Sequence, residues 1–282
     1  NQCKNAIMLR KPSICLVLFF AFNLVRFSAF AQSYPIDLPD SWEKGEAIAL
    51  FDGDDLNHWY TFIKDRGRDE DPKKVFQVED GILTISGEEW GCITTINPYD
   101  NYILKTSFRW EGETYGDRKT KARDSGFLIH SKGKDGGYSG IWMHGIEVQI
   151  IEGGTGDFLV VGDGTETFGL SAPVAKELQG SSHLYEPGGD LKRINKGRIN
   201  WYGRSPKWSD TIGFRGKKEV EKKMGKWNDL EIQTWEGNIA VFLNGKLVNF
   251  ATNVKPEFGR IQVQSEGATI AFKEITLYPL IK

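Results

Sequence analysis

The sequence predicts an all-β fold, built as a sandwich or a barrel. Twelve short segments alternate apolar and polar residues, or are rich in β-branched and aromatic residues, as strands are. Turn signals separate these segments, and 32 of the 282 residues are glycine. No long segment shows helical periodicity. Because 39% of the residues are hydrophobic, the chain has enough apolar material for a large core, which excludes a disordered protein.

The predicted strands follow one another along most of the chain. In order, they are Ala47–Phe51, Val75–Val78, Ile82–Ser86, Cys92–Ile96, Tyr102–Trp110, Gly126–Ser131, Ile146–Ile151, Leu230–Trp235, Ile239–Leu243, Lys246–Phe250, Gly259–Gln264 and Thr269–Tyr278. Two turns predict hairpins between consecutive strands. Asn244-Gly245 fits a type I′ turn, which needs positive φ at both central residues. Glu79-Asp80-Gly81 joins the two strands that flank it.

The N-terminal segment has the pattern of a secretory signal. The basic pair Arg10 and Lys11 precedes the apolar run Ile14–Val25, and a small-residue site follows at Ala29–Ala31. We therefore predict that residues 1–31 are a cleaved signal peptide. The alternative, an uncleaved membrane anchor, is disfavoured because the apolar run is short for a bilayer span.

The rest of the chain is predicted to form one domain. Residues 1–7 precede Met8, which fits the natural start of the signal, and residues 32–44 form a lead-in. Residues 45–282 are predicted to be a single sandwich domain. Within it, residues 153–225 are rich in Gly, Ser, Pro and charge, and we expect a loop-rich region that borders a site.

Charge and cysteine content restrict partners and location. The formal charge of −2 argues against a nucleic-acid partner, which needs a basic face. Beyond the predicted signal only Cys92 remains, so no internal disulfide is expected. An exported protein without disulfides suits the periplasm, the extracellular space or the cell surface of a bacterium. We expect no membrane span in the mature protein.

Six segments in chain order carry a resemblance to one family. They are Leu50–Trp59, Phe76–Leu83, Asp124–His130, Gly145–Glu152, Gly225–Asn228 together with Leu243–Gly245, and Gly259–Gln264. Over about residues 45–280, the chain resembles the 3-keto-disaccharide hydrolase domain family, formerly a domain of unknown function. The resemblance implies a two-sheet jelly roll of the concanavalin A-like lectin/glucanase type.

The same resemblance implies an exported carbohydrate-active enzyme that cleaves or hydrates 3-keto glycosides or their glycals. A sugar 3-oxidising dehydrogenase would act upstream of it. A ketone at C3 acidifies the C2 proton, so a base can remove that proton while the group at C1 departs. Such a site needs one group suited to proton transfer and one donor for the developing enolate oxygen.

Glu147, Gln149 and His130 are the predicted catalytic residues. Strand alternation turns Ile146–Ile151 so that its aliphatic side chains face the core while Glu147 and Gln149 face a groove on the concave sheet. On the neighbouring strand we expect His130 to approach Glu147, where a His–Glu pair would serve acid–base chemistry. The family usually has Arg at the position of His130. The alternatives are an ordinary solvated strand face for the first two and a structural role for His130.

Six further residues are predicted to bind substrate. Arg109 and Lys105 lie opposite the aromatic face of their strand, with a salt-bridged solvated face as the alternative. Trp142 is the first candidate for stacking on a sugar, with a core role as the alternative. The other candidates are His144, Trp201 and Tyr202.

No cofactor and no metal is predicted. The acid-rich turns Asp52–Asp55 and Asp163–Glu166 leave calcium as an alternative, but neither has the ligand spacing of an EF-hand. The four His lack zinc-like spacing.

Two other functions stay open from the sequence. The first is a non-catalytic carbohydrate-binding module. The second is a conventional glycoside hydrolase, which would need another carboxylate roughly 5–10 Å from Glu147. Glu152 or Asp124 would have to supply that carboxylate.

Overall fold

The computed structural model of the chain describes residues 38–282, so the predicted signal peptide lies outside the described residues. The strands are β1 (Glu43–Lys44), β2 (Ile48–Phe51), β3 (Trp59–Ile63), β4 (Gly67–Arg68), β5 (Phe76–Glu79), β6 (Ile82–Ile85), β7 (Gly91–Thr95), β8 (Tyr102–Thr114), β9 (Asp124–Lys132), β10 (His144–Ile151), β11 (Phe158–Val161), β12 (Gly169–Val174), β13 (His183–Leu184), β14 (Asp190–Ile194), β15 (Gly197–Asn200), β16 (Asn228–Trp235), β17 (Asn238–Leu243), β18 (Lys246–Lys255), β19 (Arg260–Ser265) and β20 (Ala268–Ile281). A 3₁₀ helix covers Gly116–Arg118. Within this part of the chain, no helix has the length and apolar character to cross a membrane.

The strands form two large sheets. The eleven-stranded sheet has the order β14-β12-β18-β17-β16-β8-β20-β6-β5, with β1 and β2 also paired to β20. The nine-stranded sheet has the order β13-β15-β11-β10-β9-β19-β7-β3-β4. Neighbours in each sheet are often far apart in sequence, as in a jelly roll. The predicted all-β, two-sheet jelly-roll sandwich is confirmed.

The main core lies between the two sheets. On β10, Ile146, Val148 and Ile150 are fully buried, as their alternation predicts. Across the interior, Phe127 of β9 packs edge-to-face on Phe272 of β20, with ring centroids 5.8 Å apart. The opposite face of β9 and β10 therefore points away from this core.

A smaller apolar cluster covers part of that opposite face. Its buried members are Cys92, Leu128, Ile141, Trp142 and Val161. Burial raises the pKa of the Cys92 thiol to about 12, so the side chain behaves as a small hydrophobe rather than a nucleophile.

The turns agree with the sequence, whereas residues 153–225 contain more strand than expected. Asn244 and Gly245 have φ angles of 50° and 77°, as a type I′ turn requires. The stretch predicted to be loop-rich contains the five strands β11–β15 as well as long loops. Short strands interrupted by Gly and charged residues carry too little alternation to be recognised.

One buried carboxyl outside the nine-stranded sheet makes stability depend on pH. Glu221 accepts hydrogen bonds from the Trp110 indole at 2.8 Å and the Thr155 hydroxyl at 2.6 Å. Burial raises the pKa of Glu221 from 4.5 to about 8, so the folded state binds this proton more tightly than the unfolded state.

We expect Glu221→Gln to flatten the pH dependence of stability. The contribution of Glu221 is complete below pH 4.5 and is lost as the pH rises through about 8. In that window the unfolding free energy of the wild type should fall by about 1.4 kcal/mol per pH unit more than that of the variant. Urea unfolding at several pH values measures this difference. Parallel curves for the two proteins would contradict it.

Candidate active site

A cleft of about 500 Å³ lies on the face of the nine-stranded sheet that points away from the main core. Strands β9, β10, β11 and β15 contribute to it, together with loop residues. We call it the carboxylate cleft, defined by the polar residues Arg118, Asp124, Glu147, Gln149, Arg198 and Glu266.

Glu147 and Gln149 reach the cleft because of strand alternation. Both lie on β10, where the intervening Val148 faces the core. Gln149 pairs with Gly126 of β9. A Cβ at Gly126 would lie 3.1 Å from Glu147 Oε1 and 2.3 Å from Gln264 Oε1. The missing side chain at Gly126 therefore gives the carboxyl of Glu147 and the amide of Gln264 their space.

Three carboxyl groups share the cleft. Asp124, Glu147 and Glu266 are 2%, 5% and 8% exposed. Burial, reinforced by the charge of Asp124, raises the pKa of Glu147 to about 8. Burial raises the pKa of Asp124 less, to about 6, because Arg118 favours its charged form. Burial and the other two carboxyls raise the pKa of Glu266 well above its ordinary value. Near neutral pH, Asp124 is therefore ionised while Glu147 carries a proton.

Two arginines supply positive charge to the cleft beside Lys196, and each arginine is bound by a carboxylate that does not line the cleft. Arg118 pairs with Asp124 and with Asp210, the latter at 2.9 Å. Arg198 donates to Asp157 at 2.7 Å, and this fully buried carboxylate also binds Arg204 at 2.5 Å. The arginine positions are therefore fixed before any ligand arrives, which is the arrangement that electrostatic catalysis needs.

The cleft also has an aromatic and apolar wall. Trp142 is 5% exposed and packs on Trp90, with ring centroids 6.3 Å apart. Tyr138 and Leu159 line the same wall. Trp142 therefore borders the cleft and belongs to the small apolar cluster as well, and its stacking on a sugar stays a prediction.

The structure does not bring His130 to Glu147. A β-bulge shifts the register of β9 against both β10 and β19, and His130 has a φ of 53°. The bulge turns the ring into the interior, where it lies edge-on to Tyr102 and its Nδ1 is 3.0 Å from the carbonyl oxygen of Pro256. Burial lowers the pKa of His130 to about 4. The expected His–Glu pair is therefore absent, and His130 is a neutral core residue.

Arg109 and Lys105 lie far from the cleft in the fold. Both are on β8 of the eleven-stranded sheet and point away from the core, as their alternation predicts, but this is the outer face of the other sheet. Arg109 pairs with Glu111 at 2.7 Å, and Lys105 pairs with Glu231 at 2.8 Å. The expectation that they line the groove is wrong, because periodicity assigns a face but not a sheet. The salt-bridged alternative is the one observed.

Of the remaining candidates, none lines the cleft. His144 is half-buried between Tyr138 and Phe168. Trp201 is a core residue whose indole donates to the carbonyl of Gly153 at 3.1 Å. Tyr202 packs beside it and lines a separate cavity.

Glu152 is a structural carboxylate rather than a second acid for catalysis. It binds Arg123 at 2.7 Å and accepts the backbone N–H of Gly213 at 2.7 Å. Asp124, the other carboxylate that the sequence offered, is the one that lies in the cleft with Glu147.

Sequence reasoning missed three residues of the cleft: Arg118, Arg198 and Glu266. Each comes from a different part of the chain: Arg118 ends the 3₁₀ helix, Arg198 lies on β15, and Glu266 follows β19. Glu266 is spaced by two residues from Gln264, as Gln264 is from Gln262, so strand alternation predicts the same face for all three. This spacing is the sequence feature that could have identified Glu266. Among residues 38–282, no group of three or more His, Cys, Asp or Glu side chains is arranged to hold a metal ion.

Fold and site define the molecule as a two-sheet jelly roll with a carboxylate cleft on one outer sheet face. The chain belongs to the family of 3-keto-alpha-glucoside-1,2-lyase-like domains, whose model matches residues 46–278. The resemblance to 3-keto-disaccharide hydrolase domains is thus confirmed. Membership supports a carbohydrate-related function of the glycosyl hydrolase type. No curated protein matches the chain.

Several solved structures are similar in fold. A candidate glycosyl hydrolase from Parabacteroides distasonis is 17% identical, with 82% of this chain and 93% of that chain covered and a TM-score of 0.48. A Bacillus subtilis protein of unknown function with a galectin-like fold is 10% identical, with 86% and 99% covered and a TM-score of 0.46. A β-glucanase from Bacillus licheniformis is 10% identical, with 87% and 95% covered and a TM-score of 0.38. At these values the similarities carry no functional information.

Proposed function

We propose that this protein is an exported bacterial enzyme that cleaves 3-keto glycosides by elimination across C1 and C2. One observation carries the proposal: Asp124 and Glu147 are both buried in the carboxylate cleft, and their surroundings raise their pKa values unequally, to about 6 and about 8. Carboxyl groups whose pKa values are driven apart by their surroundings form a ready acid–base pair. The predicted signal peptide at residues 1–31 supports export to the periplasm or the cell surface.

In the proposed elimination, Asp124 is the base. Its Oδ2 is bound to Arg118, its Oδ1 is buried, and the carboxyl of Glu266 is its hydrogen-bonded neighbour. When a bound sugar reaches this carboxylate, Asp124 takes the C2 proton, and the electron pair of the C2–H bond passes onto the C3 oxygen as an enolate. Arg198 lines the same cleft and is the cationic donor for this oxygen.

Glu147 is the acid in the second half of the reaction. The enolate electrons re-form the C3 carbonyl and create a C1–C2 double bond while the C1–O bond breaks. The leaving oxygen takes the proton of Glu147 and departs as an alcohol. One proton has then moved from Glu147 to Asp124 by way of the substrate, so the net charge of the pair is unchanged. Addition of water across C1 and C2 would complete hydrolysis.

We place the sugar ring against the Trp142 wall. Aromatic and aliphatic side chains beside convergent polar groups are typical of sugar sites. Gln149 lines the same cleft, and its buried Oε1 atom has no protein partner within residues 38–282, so a bound sugar hydroxyl would satisfy it after a small movement of the side chain. A 3-oxidising dehydrogenase is the class of partner that would supply the substrate.

Gly126→Ala should lower kcat by about 10²-fold and lower the unfolding free energy by about 1–3 kcal/mol, because the site is buried and already filled. The new methyl group displaces the Glu147 and Gln264 side chains, and misplacement of a reacting group by roughly 1 Å has a cost of this size. Steady-state kinetics and thermal unfolding measure the two effects. Gly112→Ala is the matched control, because a Cβ there meets nothing within 4 Å. Equal kcat values for the two variants would contradict the crowding argument.

A conventional glycoside hydrolase is the second candidate, because Asp124 and Glu266 place further carboxyls near Glu147. Product analysis with matched 3-keto and unoxidised glucosides separates the candidates. Turnover of the keto sugar alone supports the proposal, and turnover of the unoxidised sugar supports conventional hydrolysis. Binding without turnover of either would indicate a carbohydrate-binding module.

A further inference from the structure

A second cavity, of about 570 Å³, lies beside the carboxylate cleft. We call it the basic cavity and define it by Tyr202, Lys207, Phe214, Arg215, Lys217 and Lys218. Its position links it to the cleft through one turn: Gln179 lines the basic cavity, whereas Ser181 and Ser182 line the cleft. Gln179 is fixed in place by its bond to the Arg204 carbonyl at 3.1 Å.

The cavity is positively charged, and of its lining cations only Arg204 is neutralised by a described carboxylate, that of Asp157. None of its lining residues within 38–282 is acidic, although the whole chain has a formal charge of −2. Lys207, Lys217 and Lys218 form no ion pair with any described residue. Arg215 donates only to backbone carbonyls.

Two acids follow these cations in sequence, and neither forms an ion pair with them, although Glu219 lies within electrostatic reach of Arg204. Glu221 is buried on Trp110 and Thr155, and burial raises its pKa so that it is neutral near pH 7. Glu219 accepts the backbone N–H groups of Val220 and Glu221. The positive field of the cavity is therefore retained, and a concave site lined by one sign of charge concentrates ligands of the opposite sign.

We propose that the basic cavity binds an acidic sugar unit of the glycan, one that carries a carboxylate or a sulfate ester on its ring. The cations recognise the anionic group, while Tyr202, Phe214 and Leu184 offer apolar surface to the ring. The turn shared with the cleft lets one oligosaccharide contact both sites. This inference rests on the proposed carbohydrate function and adds a substrate class to it.

The test measures binding by calorimetry with four probes: tetragalacturonate, a sulfated galactose tetrasaccharide, the neutral galactose tetrasaccharide and inorganic sulfate. At least one acidic tetrasaccharide should bind about tenfold tighter than the neutral one, the gain expected for two partly exposed charge pairs. Its affinity should fall as salt is added. The tighter of the two acidic probes identifies the anionic group.

The variant K217Q/K218Q should lose about tenfold in affinity for the acidic probe. The matched control K64Q/K246Q removes two exposed charges elsewhere and should bind as the wild type does. Equal losses in both variants, or equal affinity for acidic and neutral probes, would overturn the proposal. Inorganic sulfate binding as tightly as the tetrasaccharides would also overturn it, because the ring would then contribute nothing.

The probes carry no 3-keto group, so this experiment is independent of turnover. If the acidic sugar site is wrong, selective binding of acidic tetrasaccharides will not be observed, and the wild type will still act on neutral 3-keto glucosides. If the proposed reaction is wrong, the wild type will show no activity on neutral 3-keto glucosides, and the selective binding of acidic tetrasaccharides will still be observed.

Discussion

Glu147→Gln is expected to lower kcat on a 3-keto glycoside by about 10²–10⁴-fold, the usual contribution of a positioned acid or base. The amide has the shape of the carboxylic acid but cannot give a proton to the leaving oxygen. Because Gly126 leaves room for this side chain, the variant should keep its fold and bind substrate within a few-fold of the wild type. Steady-state kinetics with product quantification measures kcat and KM separately.

The pH profile makes this result specific to proton transfer. Activity of the wild type should fall below pH 6, where Asp124 becomes protonated, and above pH 8, where Glu147 loses its proton. The residual activity of Glu147→Gln should lack the alkaline decline. Glu231→Gln, on the outer face of the other sheet, is the control and should match the wild type at every pH. Turnover by Glu147→Gln within tenfold of the wild type would refute the assignment.

Asp157→Asn is expected to have the largest effect on stability. The Asp157 carboxylate is fully buried and accepts from Arg198, from Arg204 and from the backbone N–H of Trp201 at 2.7 Å. Loss of its charge leaves two largely buried guanidinium groups without a counterion. Removing one partner from a buried ionic group costs about 3–5 kcal/mol. Chemical denaturation of both proteins at pH 7 measures the loss.

A second substitution shows whether the buried charge is the cause. Replacing Arg204 with Met in the Asp157→Asn background removes one of the stranded charges and should recover part of the lost stability. Asp163→Asn, at an exposed turn, is the control and should change the unfolding free energy by less than about 0.5 kcal/mol. A loss below about 1 kcal/mol for Asp157→Asn would contradict the role of this network.

Alternation accounts for what could be predicted about the site. It turned the aliphatic residues of β10 inward and Glu147 and Gln149 outward, because a strand buried on one face must alternate. It failed at His130, where a bulge inserts one residue and reverses the face of the side chain. Phe127 and Ile129 have the spacing of a regular strand, so the bulge that follows them could not be predicted from the sequence.

Long-range assembly accounts for what could not be predicted. The sequence assigned Arg109 to the correct face of its strand. Only the strand order shows that this strand, β8, lies in the eleven-stranded sheet. Arg118 and Arg198 enter the cleft from a 3₁₀ segment and from β15, about 80 residues apart in sequence. Loops and short strands have no periodic pattern, so the sequence does not predict which site they border.

The loss of the C2 proton is the most direct test of the proposed function. A 3-keto glucoside is incubated with the protein in D₂O. NMR follows the loss of the proton at C2, and its replacement by deuterium, as the glycosidic bond breaks. An enzyme-free sample corrects for spontaneous exchange. The account predicts that every cleaved molecule has lost its original C2 proton, and that a substrate deuterated at C2 reacts more slowly. Cleavage with the C2 proton retained would show that the bond is broken by direct displacement, and elimination would be ruled out.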